Sequence, residues 1–106
     1  MDVDDAQRQV AEFVQEHDLE TPPEFRLLDL VSEMGELAKD ANTSTDYGDA
    51  PADLDLAADE VGDALFALLA LADALEIDAE AALAEALEKY EARMATGAEE
   101  SPGSGE

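Results

Sequence analysis

The chain has no cysteine. A disulfide framework is therefore excluded, as are thiolate metal sites, and the composition fits a reducing compartment. Basic residues are nearly as scarce: five Lys and Arg stand against 29 Asp and Glu in 106 residues, for a net charge of −24. Five cations cannot build the positive face that nucleic-acid binding needs, and an anionic membrane surface would repel the chain. No segment reaches the roughly 18 uncharged apolar residues of a membrane span. Asp63 and Asp73 interrupt the most apolar stretch, residues 62–75. The start, Met1-Asp2-Val3-Asp4-Asp5, lacks the basic region of a secretion signal, so a cytoplasmic location is expected. Runs of β-branched residues and internal repeats are missing as well.

What is present is apolar periodicity on an acidic background. Hydrophobic residues make up 46% of the chain, which with that periodicity argues against disorder. The charge fits a folded protein adapted to molar salt, where the screening length falls to about 3 Å. A halophilic origin is expected, with most of the acids serving solvation. A chain of 106 residues is one domain with a modest core, which an oligomer would extend.

The pattern predicts an all-α fold, a four- to five-helix bundle of antiparallel helical hairpins, with the domain over residues 1–97. A first helix is expected over 3–17, with Val10, Phe13 and Val14 as its apolar stripe. Pro22-Pro23 breaks the chain. A second helix is expected over 24–42, where Leu27, Leu30, Val31, Met34, Leu37, Ala38 and Ala41 recur at helical spacing. Asp29, Glu33, Glu36 and Asp40 share an adjoining stripe. A loop over 43–53 leads to a third helix over 54–75, whose wide apolar set, Leu54 and Ala57 included, implies burial on more than one side. Asp78 reads as the N-cap of a fourth helix over 79–94. Residues 98–106 read as a disordered tail. Phe13 and Phe25 are expected in the core, Phe66 in the core or a subunit interface, and Arg26 in a surface ion pair.

Two acidic signatures stand out, Ser32-Glu33-Met34-Gly35-Glu36 and Asp59-Glu60-Val61-Gly62-Asp63. Carboxylates three residues apart point the same way on a helix, with Cβ atoms about 5–6 Å apart. Two such helices face to face would offer four carboxylates, a hard oxygen set suited to Mg²⁺ or Mn²⁺. The spacing alone does not discriminate, because roughly eight acid-x-x-acid pairs arise by chance in a chain this acidic.

The surroundings do discriminate. Leu30-Val31-Ser32-Glu33-Met34-Gly35-Glu36-Leu37-Ala38 is followed after one loop by Asp59-Glu60-Val61-Gly62-Asp63-Ala64-Leu65-Phe66, then by Ile77-Asp78 and Lys89-Tyr90-Glu91-Ala92-Arg93. This order resembles the MazG-like nucleotide pyrophosphohydrolases of the all-α NTP pyrophosphatase superfamily, whose pattern is Glu-Glu-x-x-Glu, a spacer, then Glu-x-x-Asp. The likeness covers residues 24–94. Ser32 stands where the family usually carries Glu.

The resemblance implies a Mg²⁺-dependent enzyme that cleaves an NTP or dNTP between its α- and β-phosphates, giving the monophosphate and pyrophosphate. It implies Glu33, Glu36, Glu60 and Asp63 as ligands of Mg²⁺ or Mn²⁺, with Glu33 or Glu36 orienting the attacking water. It also implies a homodimer or homotetramer. Lys89 and Arg93, four apart on one helix face, match a basic pair that relatives use near the phosphates. The plainer alternative is exposed ion pairs with Glu85 or Glu88, worth little. Lys39, beside the acidic stripe, either touches phosphate or stays on the surface. Two rival readings remain. One is a non-catalytic helical module that keeps the fold and binds a nucleotide, metal or protein partner. The other is an unrelated bundle whose acids diverge into solvent.

Overall fold

The computed structural model describes residues 1–96, which form four α-helices and one short 3-10 turn, Pro51–Asp53, with no strand among them. The expected tail over 98–106 lies outside the described residues. Helix α1 (Val3–Glu16) opens with a reciprocal cap: the Asp5 N–H donates to Asp2 at 2.7 Å, and the Asp2 N–H donates back to Asp5 at 3.4 Å. Helix α2 (Pro23–Ser44) starts on a proline, whose fixed φ and missing N–H suit the first helical position. Helix α3 is Ala58–Ala74 and α4 is Ala79–Ala95. Asp78 caps α4 as expected, accepting from the Ala81 N–H at 3.0 Å.

The first three helices end alike. Asp18, Asp46 and Glu76 each take a left-handed conformation, at φ 55°, 53° and 57°. The next N–H in each case reaches back to the last turn: Leu19 to the Val14 carbonyl at 2.9 Å, Tyr47 to Asn42 at 2.7 Å and Ile77 to Ala72 at 2.8 Å. This is the Schellman termination, built here on non-glycine residues.

Helix α3 begins four residues later than the sequence pattern predicts. Leu54 and Ala57, counted in its apolar face, lie before it. The cause is local. Pro51 opens the 3-10 turn, the Asp55 N–H donates to Ser44 Oγ at 3.0 Å, and Ala57 is extended at φ −76°, ψ 135°. That segment is therefore drawn along the end of α2.

Helices α2 and α3 form the most extensive pair, α1 packs on α3, and α4 rests on α1 and more lightly on α3. The α1–α3 contact includes Phe13 edge-on against Phe66, with centroids 5.9 Å apart. Gln7 ties α1 to the α3–α4 turn: its side-chain amide donates to the Ile77 carbonyl at 2.7 Å and accepts from the Ala79 N–H at 2.9 Å.

Among the described residues the buried hydrophobic set is small: Val14, Ala64, Ala67, Leu69 and Ala70, with no large side chain fully enclosed. The core expected for α2 is not closed. Phe25, Val31 and Met34 are 52%, 60% and 53% exposed. Only the flank turned to α3, with Leu30, Leu37 and Ala41, is half-buried. One neighbour cannot cover an apolar set that spans most of a helix. None of the described helices is long and apolar enough to cross a membrane.

Candidate functional site

The acidic stripe of α2 meets the first half of α3. Arg26, Asp29 and Glu33 line a cavity of about 320 Å³ together with Asp63, Phe66 and Ala67. Further along α2, Asp40 stands against Glu60, close enough to share a proton with it, and the charge of Glu36 adds to the field there. Beyond that, Asp40, Thr43 and Ser44 border a second cavity with Asp55 and Ala57. The four expected ligands thus fall into two neighbourhoods along one seam, Glu33 with Asp63 and Glu36 with Glu60. Among the described residues, no three of the acids are drawn together as a group that could hold an ion as they stand.

Glu60 carries the clearest electrostatic signal. Among the described residues, its Oε1 is shut off from solvent and no N–H or hydroxyl group donates to it. Its pKa is pushed up to about 7, first by the hydrogen bond shared with Asp40, then by partial burial, then by the charges of Asp40, Asp59 and Glu36. The first turn of a helix ordinarily favours a carboxylate. The acids around Glu60 outweigh that preference. A buried acceptor with no donor, set among like charges, is unfavourable in the bare protein and becomes favourable beside a cation. The donor set is all oxygen, which suits Mg²⁺ or Mn²⁺.

Two residues of this seam were not among the expected ligands. Asp40 belonged to the acidic stripe but was not paired with Glu60. Arg26, expected in a surface ion pair, is buried, with 9% of its surface exposed. The Pro22-Pro23 break brings the Leu19 carbonyl over its guanidinium, which donates to it, and the ion pair with Asp29 is long, at 3.8 Å.

The cations of α4 stand elsewhere. Lys89 Nζ lies 5.3 Å and the Arg93 guanidinium 5.5 Å from the centre of the Tyr90 ring, so both face that ring from one side of the helix. No ion pair from either to Glu85 or Glu88 forms among the described residues. Lys39 is exposed on α2 between Glu36 and Asp40. Ser32, next to Glu33, is also exposed.

No curated protein and no solved structure matches the chain. The family model of the MazG nucleotide pyrophosphohydrolase domain matches residues 22–97, which takes in α2, α3, α4 and the whole acidic seam. The members of that family are hydrolases and typically depend on a divalent metal. By that match over most of its length, the chain belongs to the MazG nucleotide pyrophosphohydrolase domain family.

Proposed function

We propose that the chain is a Mg²⁺-dependent nucleoside triphosphate pyrophosphohydrolase, cleaving an NTP or dNTP to the monophosphate and pyrophosphate. The observation that carries the reading is Glu60: a shielded acceptor oxygen without a donor, on a carboxyl that its acidic neighbours hold near neutrality. Glu33, Glu36, Glu60 and Asp63 would hold the metal, with Mn²⁺ able to replace Mg²⁺. Asp40 would take part through its contact with Glu60. A divalent ion, when bound, neutralises phosphate charge and activates water for attack on a phosphoanhydride.

The chain's own residues supply placement. Carboxylates carried on helices are held more tightly than loop residues would be. Glu33 or Glu36, on the face of α2 that meets α3, would orient the attacking water. Lys39, Lys89 and Arg93 would contact phosphates. Lys89 and Arg93 sit on α4, which packs on α1 and α3 and not chiefly on α2. The order of the pairs along the seam (Glu33 with Asp63, Asp40 with Glu60, Ser44 with Asp55) supports the antiparallel hairpin arrangement of α2 and α3.

The exposed apolar side chains support a homodimer or homotetramer. Phe25, Leu28, Val31 and Met34 on α2, and Leu83, Leu87 and Met94 on α4, are 48–71% exposed. Patches of this kind mark association surfaces. The net charge of −24 supports a cytoplasmic setting of high salt, where self-repulsion is screened. The test is incubation with a panel of NTPs and dNTPs, with Mg²⁺, in molar KCl. Monophosphate and pyrophosphate are the expected products. Diphosphate and inorganic phosphate, or no product from folded protein, would contradict the reading.

A further inference from the structure

Arg26 is the only charged side chain buried among the described residues, in a chain with five basic residues in all. Burying a guanidinium is costly unless its donors are met. Here they are barely met. A guanidinium carries five N–H donors in a fixed planar fork. Among the described residues one hydrogen bond engages it, from Nη2 to the Leu19 carbonyl. Its ionic partner is Asp29, whose side chain is 60% exposed and whose Oδ2 lies 3.8 Å from Nη1, beyond ordinary hydrogen-bond length. The Leu19 contact therefore fixes the group in place and leaves most of the fork unspent.

The fork has somewhere to point. Arg26 lines the cavity of about 320 Å³ whose other polar walls are Asp29, Glu33 and Asp63 and whose apolar walls are Phe66 and Ala67. Glu33 and Asp63 are two of the proposed metal ligands. A fixed guanidinium beside them complements an oxyanion that also meets the cation. A phosphate group is such a ligand, and a planar fork binds two of its oxygens at once. A free carboxylate ligand would meet the same fork but would carry less charge to offset the acids around it.

We propose that Arg26 is a substrate-contacting residue, its guanidinium taking two oxygens of the polyphosphate chain at the Glu33–Asp63 end of the seam. This rests on the reading of the chain as a nucleotide pyrophosphohydrolase. It gives the site a permanent cation in addition to the metal, inside the cavity and in the same chain as the carboxylates. Lys89 and Arg93, by contrast, face Tyr90 on α4.

The test is calorimetric titration with inorganic pyrophosphate and Mg²⁺ in molar KCl, on the full chain, for the wild type, Arg26→Gln and Arg26→Lys. Thermal melts of each variant report folding. The wild type is expected to bind, Arg26→Gln to bind at least about tenfold more weakly, and Arg26→Lys to fall between them, since a point charge lacks the fork. Where Arg26→Gln loses its fold with the Leu19 contact, Arg26→Lys decides alone. Wild-type affinity in either folded variant, or no pyrophosphate binding by the wild type, overturns the proposal. Release of pyrophosphate from NTPs, measured in parallel, separates the two claims. Release together with unaltered variant affinity removes Arg26 alone. No release, with binding that depends on Arg26, removes the hydrolase reading and leaves the phosphate contact.

Discussion

The carboxyl of Glu60 on α3 faces that of Asp40 on α2, and this neighbour is the first cause of a pKa pushed up to about 7. Two acids sharing a proton across a helix seam is an arrangement that a divalent cation would relieve.

That pairing sets the pH dependence of the metal-free protein. Below about pH 4.5, the ordinary value, Glu60 holds its proton in both folded and unfolded chains. Between about 4.5 and 7 the folded chain keeps the proton and the unfolded chain releases it. The folded state then binds more protons, so the contribution to stability falls as pH rises through that window and levels off above it. Thermal melts in chelator should show this decline. Asp40→Asn removes the leading cause and should flatten it. Mg²⁺ competes with the same proton, so its affinity should climb with pH up to about 7.

The helix ends offer a test free of site chemistry. Glu76 holds φ 57° at the end of α3, a conformation that costs a side-chain-bearing residue about 1–2 kcal/mol. Glu76→Gly should therefore stabilise the chain by about 1 kcal/mol, less whatever the glycine adds to unfolded-state freedom. Denaturant melts check the sign. Destabilisation would mean that the Glu76 side chain makes a contact worth more than the strain.

The Gln7 clamp makes the opposite kind of prediction. Gln7→Ala leaves the Ile77 carbonyl and the Ala79 N–H without their partner on α1. A loss of about 0.5–1.5 kcal/mol is expected, because water can reach the freed Ile77 carbonyl. Hydrogen exchange should locate it, with faster exchange at the start of α4 and unchanged protection in the middle of α3.

The open apolar faces predict association. Light scattering on the eluting protein should give two or four times the 11.3 kDa chain mass. Val31→Glu, at a site 60% exposed in one chain, should lower that mass without unfolding the helices. A monomer that stays soluble at high concentration would contradict the assembly.

The sequence made the four helices legible because their apolar spacing and end signals agree, as at Pro23 and Asp78. It misplaced the start of α3 because Leu54 and Ala57 are apolar at helical spacing, while the force that holds them out of the helix, the Ser44–Asp55 hydrogen bond, is tertiary. It placed Phe25, Val31 and Met34 in a core because periodicity reports which face is apolar and not what covers it. The two acidic signatures were legible through their order. Asp40 was not, because one more acid in 29 carries no pairing information. Arg26 was not, because an arginine three residues before Asp29 reads as an exposed ion pair, and its burial depends on where the Leu19 carbonyl falls after the Pro22-Pro23 break.

The most direct measurement of the central claim compares pyrophosphate release by the wild type and Glu60→Gln, on the preferred nucleoside triphosphate, with Mg²⁺ in molar KCl. Glutamine keeps the size of the side chain but removes the charge that the metal would meet. Even the loss of a group that only supports a metal ligand costs 10–100-fold, so a drop of about 100-fold or more is expected, with the melting temperature of the metal-free protein unchanged or raised at pH 7. Equal release from a folded Glu60→Gln variant would contradict the site, and no release from the wild type with any nucleotide would contradict the function.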